Sequence, residues 1–76
     1  MASLPAVTGE EAIAAFGKIG FALDRIKGSH HILKKEGFPY ALSVPVHGKQ
    51  SVKNGTLRSL IRDAQLTVEE FVELLE

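Results

Sequence analysis

The stretch FALDRIKGSHHILKKEGFPYALSVPV, residues 21–46, decides the fold of this 76-residue chain. Two short segments, 21–27 and 29–35, are separated by one glycine and are predicted to be strands. A third segment, 40–46, has apolar residues at every second position, which is typical of a strand with one apolar face. Glycine and proline in 36–39 provide a turn between the second and third strands. The sequence therefore predicts three antiparallel strands.

Helices are predicted on both sides of these strands. Thr8 with Glu11, and Thr67 with Glu70, have the spacing of capping boxes and predict where the first and last helices begin. Between the strands and the last helix, apolar residues recur at i, i+3, i+4 and i+7, which indicates a further helix. Those residues are Leu57, Leu60, Ile61 and Ala64. The predicted order is α-β-β-β-α-α.

This order predicts an α+β domain in which the helices pack on one face of a three-stranded antiparallel sheet. The opposite face is left open for Lys, His and Ser side chains of the strands. Pro45 cannot donate to a ladder, so the third strand is predicted to be an edge strand or to end there. Because no repeat, linker or low-complexity segment interrupts the pattern, residues 1–76 are predicted to form one domain.

Composition excludes several classes of protein. The chain has no cysteine, which excludes disulfides and thiolate metal sites. It has neither a signal-peptide pattern nor an apolar run approaching the roughly 20 residues that span a bilayer. We therefore expect a cytoplasmic protein with no membrane partner.

Charge is unevenly distributed although the net charge is zero. Residues 18–53 carry seven Lys or Arg and two Asp or Glu, whereas 1–17 and 54–76 are acidic. The three histidines also lie in the basic middle segment. Such a segment can attract phosphate, although scattered lysines can equally be an ordinary solvated face.

His30 and His31 are the first candidates for chemistry. Adjacent strand residues point to opposite faces, so the two cannot address one site without a bulge. An imidazole can exchange protons near neutral pH, so either residue could be a general acid or base, a phosphate contact or a structural residue. The strand pattern does not choose between them, because Ile32 and Leu33 make both faces partly apolar. Asp24 is a candidate for orienting a histidine.

Several neighbours could bind an anionic substrate. Glycine lets a ligand approach the backbone closely, a nearby serine can donate a hydrogen bond, and lysines attract phosphate. Two further lysines precede the second predicted helix, whose N-terminal N–H groups favour anions. The residues predicted to bind such a substrate are Lys27, Gly28, Ser29, Lys34, Lys49 and Lys53. Lys35 extends the basic run, and the loop lysines could instead be simply solvated.

His47 has three possible roles. It could be a second acid–base group, a structural residue, or a metal ligand together with His30 or His31. The spacing matches no known set of metal ligands, so no metal and no other cofactor is predicted.

Three blocks of this sequence closely resemble the HicA family of toxin–antitoxin mRNA interferases. The blocks are KGSHHIL (27–33), SVPVH (43–47) and KNGTLRSLIRDAQLTVEEFVELL (53–75). They occur in the order and spacing of the family and extend the resemblance over nearly the whole chain. Two features depart from the family pattern: the net charge is zero where family members are commonly more basic, and Gln65, within the third block, stands where the family often has glycine between its last two helices.

The resemblance implies a fold like that of a double-stranded-RNA-binding domain. It also implies a metal-independent endoribonuclease that cleaves mRNA and blocks translation. By position after the Gly-Ser pair, the catalytic histidine would be His30, and a HicB-type antitoxin would bind the protein and cover it. The alternatives from other classes are a non-catalytic RNA-binding module using the same basic face, and a protein that docks an acidic partner.

Overall fold

The computed structural model describes residues 3–76. In this part of the chain, three helices and three strands follow one another in the predicted order. The elements are α1 (Gly9–Gly17), β1 (Ala22–Lys27), β2 (His30–Lys34), β3 (Leu42–Pro45), α2 (Asn54–Asp63) and α3 (Val68–Leu74). The strands form one antiparallel sheet in the order β1-β2-β3. The predicted α+β, double-stranded-RNA-binding-domain-like fold is confirmed.

The strands are shorter than predicted. Phe21 is buried but precedes β1, and Tyr40 lies two residues before β3 with about half of its surface exposed. Tyr40 therefore does not belong to the apolar face of the third strand, because the ladder between β2 and β3 begins only at Leu42. Pro45 is the last residue of an edge strand, which satisfies both parts of the prediction made for it.

The hydrophobic core lies between the helices and one face of the sheet. Phe16 of α1 is fully buried, and its ring centroid lies 5.1 Å from that of Phe71 in α3 and 6.0 Å from that of Phe21. The sheet contributes apolar side chains from its two covered strands, since directly opposed residues of an antiparallel pair share a face. These are Leu33, Leu42 and Val44.

Local rules determine where α1 and α3 begin. In α1 the backbone N–H of Glu11 donates to the Thr8 hydroxyl, while the Glu11 carboxylate accepts from the Thr8 N–H at 2.9 Å. The same reciprocal pair joins Thr67 and Glu70 in α3. These contacts satisfy N–H groups that the first turn of a helix otherwise leaves unpaired. Both predicted capping boxes are confirmed.

The start of α1 is pressed against the end of β3. A β-carbon at Gly9 would overlap the carbonyl oxygen of Pro45 and lie 2.8 Å from Cγ2 of Val46. Only glycine therefore allows the two backbones to approach this closely. The contact fixes the point where the chain leaves the sheet after β3.

The turn between α2 and α3 contains a residue in the left-handed region. Gln65 has φ 61°, and its N–H donates to the carbonyl of Arg62 at 2.9 Å. Glycine adopts this conformation most easily, because it has no β-carbon to clash with the backbone.

The helices leave β1 uncovered. All six residues of β1 are exposed, and its register shifts between Leu23 and Arg25, which leaves Asp24 in a bulge. Leu23 lies opposite Leu33 and Ile26 opposite His31, so both point toward the helical side of the sheet. Because they lie beyond the helices, they remain 52% and 55% exposed.

Candidate functional site

The register of the sheet separates the two adjacent histidines. His30 pairs with Lys27 on one side and Pro45 on the other, and it is exposed on the open face. His31 lies opposite Val44, which is fully buried, so its side chain points toward the helices. The Nδ1 atom of His31 is shielded from solvent and has no hydrogen-bond partner among the described residues. The open face therefore presents His30 and not His31.

A two-residue turn at Gly28 and Ser29 brings His30 to the end of the hairpin. The closing pair is Lys27 with His30, and Gly28 has φ 59° while Ser29 keeps a negative φ. Glycine at the first central position is the pattern of a type II′ hairpin turn, whose twist matches that of the strands. A β-carbon at Gly28 would meet no other described atom within 4 Å. The glycine is therefore needed for the turn conformation and not for close packing.

His30 lines a cavity of about 470 Å³ on the open face of the sheet, which we call the histidine cavity. Its wall combines the open face of β2 and β3 with the loop after β3 and the first turn of α2. The lining residues are His30, Ser43, Pro45, His47, Gln50, Ser51, Val52, Lys53 and Thr56. Two histidines that are 17 positions apart in the sequence therefore line one cavity.

The position of His47 is set by hydrogen bonds of the backbone on both sides. The N–H of Val46 donates to the carbonyl of Ser29 at 2.8 Å, which extends the β2–β3 pairing one step past Pro45. The carbonyl of His47 accepts from the N–H of Gln50 at 3.0 Å and closes a turn. Further along, the N–H of Val52 donates to the carbonyl of Val7 at 2.7 Å, which fixes the far end of the loop.

The histidine cavity favours an anionic ligand. None of the described residues that line it is acidic, and Lys53 contributes a cation at its edge. Lys53 is also the N-cap of α2 and makes no side-chain hydrogen bond to the first turn within the described chain. The first turn of α2 thus lacks a side-chain cap within the described chain, and Thr56 of that turn lines the cavity.

The structure brings only some of the predicted binding residues to this cavity. Lys53 lines it, while Lys27, Gly28 and Ser29 surround His30 at the hairpin end. Lys49 is exposed in the turn after His47 but is not a lining residue.

Two more lysines and one aspartate lie elsewhere. Lys34 is four residues from His30, roughly 13 Å along the strand, and its Nζ lies 3.7 Å from the Asp24 carboxylate. Asp24 accepts a hydrogen bond from Arg25 at 2.9 Å and lies in the bulge of β1, so its partners are Arg25 and Lys34 and it does not orient a histidine. Lys35 places its ammonium over the rings of Phe21 and Phe38, at 5.8 and 5.3 Å from their centroids.

Sequence reasoning missed most of the polar lining. Ser43 could have been found, because its alternation with Leu42 and Val44 already assigned it to the open face. Ser51 and Thr56 carried no such signal, because their placement depends on how the loop folds back from β3 to α2.

Residues 3–76 contain neither a metal-binding cluster nor a membrane-spanning helix. No group of three or more His, Cys, Asp and Glu in this range could hold a metal ion. None of the helices in the same range is long and apolar enough to cross a membrane.

A comparison with protein families gives a clear result. The model of a family described as the HicA toxin of bacterial toxin–antitoxin systems matches residues 9–66. The chain belongs to the HicA toxin family. The matched region runs from the start of α1 to the turn after α2, so it contains the whole sheet and the histidine cavity. A comparison with curated proteins finds no match.

Membership confirms the resemblance drawn from the sequence blocks. A HicA toxin is the toxin component of a toxin–antitoxin pair, and membership therefore implies an antitoxin as its partner.

Proposed function

We propose that this HicA toxin is a metal-independent endoribonuclease that cleaves mRNA and thereby blocks translation in the cytoplasm, with His30 as its catalytic residue. The observation that carries the proposal is the placement of His30. Its imidazole is exposed on the open face and lines a cavity that contains a cation and no acidic residue among those described. A phosphodiester group bears negative charge, so this environment favours its binding beside an imidazole.

His30 is suited to exchange a proton with the ribose or the phosphate of a bound RNA. Imidazole changes its charge near neutral pH, and a positioned acid or base accelerates proton transfer by about 10²–10⁴. The reaction joins the ribose O2′ to the adjacent phosphorus and breaks the bond from phosphorus to O5′. Lys27, opposite His30 across the hairpin, and Lys53, at the cavity edge, would hold the phosphates that flank the cleaved bond.

We also propose that a HicB-type antitoxin inhibits the toxin by covering the histidine cavity. Because the cavity opens to solvent, a protein seated over it would exclude RNA without changing the fold. Addition of the cognate antitoxin should then abolish RNA binding and cleavage together.

The test compares the two adjacent histidines on a defined mRNA in the presence of EDTA. We expect His30→Ala to lower the cleavage rate by about 10²–10⁴ while leaving RNA affinity largely intact. His31→Leu is the matched control, because that side chain points to the opposite face. Circular dichroism of each variant verifies the fold, and fluorescence anisotropy of labelled RNA measures binding.

Three outcomes would contradict the proposal. If wild-type protein binds RNA without cutting it, the chain is a non-catalytic RNA-binding module. If His30→Ala cuts as fast as wild type, the catalytic residue is elsewhere or the activity is a contaminant. If EDTA abolishes cleavage, the reaction depends on a metal ion.

A further inference from the structure

The proposed reaction needs two proton transfers, and His30 can perform only one of them at a time. A base removes the proton of the ribose 2′-OH as O2′ attacks phosphorus. An acid delivers a proton to O5′ as the bond from phosphorus to O5′ breaks. The products are a 2′,3′-cyclic phosphate and a 5′-hydroxyl, and the two groups exchange protons with water before the next turnover. The cavity must therefore supply a second group that can hold a proton.

Resting on the proposed function, we propose that His47 is this second catalytic group. His47 lines the same cavity as His30. Among the described residues lining the cavity, these two are the histidines, the residue type that most often transfers protons in catalysis. The other polar lining residues offer hydroxyls, an amide or an ammonium, which bind a phosphate well but are poor proton carriers at neutral pH.

The pairing of β2 with β3 brings the backbone of His47 close to that of His30. Pro45 is directly opposite His30, and His47 is two residues beyond Pro45 along the same chain direction. The bond from the Val46 N–H to the Ser29 carbonyl continues the pairing to Val46, the residue before His47. Diagonal neighbours in a regular antiparallel ladder have backbones roughly 7–8 Å apart, a spacing that leaves room for a phosphate between two side chains. His47 follows directly on this ladder and lines the same cavity of about 470 Å³ as His30. One histidine can thus contact O2′ while the other contacts O5′.

The backbone holds His47 independently of its side chain. The amide of Val46 is tied to the hairpin turn, and the carbonyl of His47 accepts from Gln50. His47 is itself exposed, so its imidazole contributes little to packing. Substitution of the side chain should therefore change the chemistry and leave the fold in place.

The experiment compares two RNA substrates that differ at one atom. One is a short oligoribonucleotide with an ordinary phosphodiester at the cleaved position. The other has sulfur in place of O5′ at that position, and a thiolate leaves without needing a proton. We expect His47→Ala and the bulkier His47→Gln to slow cleavage of ordinary RNA by about 10²–10⁴ with unchanged RNA affinity. If His47 is the acid, the sulfur substrate restores the rate of these variants to within about tenfold of wild type.

Parallel measurement on His30→Ala determines which histidine has which role. Rescue of the His47 variants alone makes His47 the acid. Rescue of His30→Ala alone, with slow His47 variants, makes His47 the base, and both results support the pair.

The inference is overturned if the sulfur substrate rescues neither variant or both. It is also overturned if the His47 variants cut ordinary RNA at the wild-type rate, or if their loss follows weaker RNA binding. These failures differ from failure of the proposed function, in which wild-type protein does not cleave or His30→Ala remains fully active.

Discussion

Replacement of Gly9 by alanine should destabilise the protein by forcing α1 away from the end of β3. The added methyl group would overlap the carbonyl oxygen of Pro45 and lie 2.8 Å from Cγ2 of Val46. The first of these contacts is with backbone, so a change of side-chain rotamer cannot relieve it. Gly9 is buried at the first position of the helix, so the chain must shift there.

The size of the effect follows from the cost of overpacking. Adding a methyl group to a tightly packed site costs about 1–3 kcal/mol. In a domain of this length each kcal/mol lowers Tm by about 4–8 °C, so we expect a decrease of roughly 4–24 °C. Because Val46 precedes His47, the shift should also displace one wall of the histidine cavity and slow RNA cleavage below the melting temperature.

The same substitution at the other end of α1 provides the control. A β-carbon at Gly17 would meet no other described atom within 4 Å, and Gly17 ends the helix with a negative φ. Gly17→Ala should therefore be neutral or raise stability by up to about 1 kcal/mol. Differential scanning calorimetry of both variants measures the contrast. If Gly9→Ala melts at or above the wild-type temperature, α1 and β3 can move apart without cost and overpacking at Gly9 does not destabilise the protein.

Further expectations concern single side chains in other parts of the structure. His31→Leu should keep or increase the urea midpoint, because it removes a shielded nitrogen that lacks a partner among the described residues; a large loss would mean that this nitrogen is bonded. Gln65→Gly should raise the free energy of unfolding, measured by the same urea titration, by about 0.5–1 kcal/mol, since glycine accepts φ 61° without strain. A lower free energy of unfolding would contradict the assigned turn. Lys53→Ala and Lys27→Ala should each reduce the slope of log RNA affinity against log salt by about 0.7, if each contacts one phosphate of single-stranded RNA. Lys18→Ala should leave that slope unchanged, because Lys18 donates to the carbonyl of Glu76 away from the histidine cavity, and an equal change in all three variants would indicate only non-specific attraction.

The helix starts and the order of elements could be predicted because they depend on local rules. Thr8 and Thr67 each have a glutamate three residues later, and both pairs form the expected reciprocal hydrogen bonds. The end of the third strand at Pro45 could be predicted in the same way, since proline has no N–H to donate to a ladder. Such features need no information about distant parts of the chain.

The face of the sheet on which each histidine side chain lies could not be predicted, because it depends on strand pairing. Ile32 and Leu33 are both apolar, so alternation gave no preference, and only the pairing of His31 with Val44 assigns the faces. The faces of β1 could not be predicted either, since the extra residue in the bulge at Asp24 changes which side chains share a face before and after it. The candidate site was predicted as a set of residue types, but its assembly required the loop that carries His47 back toward Ser29.

The uncovered strand β1 has a consequence for the behaviour of many copies of this toxin together. One side of β1 has no neighbouring strand in the described sheet, and such an edge can pair with the same edge of another molecule. The bulge between Leu23 and Arg25 breaks the regular row of backbone groups, and Asp24, Arg25 and Lys27 place charges along it. Both features oppose the stacking of strands from separate chains. When antitoxin is absent, the edge of the sheet therefore resists growth into β-linked polymers of the toxin.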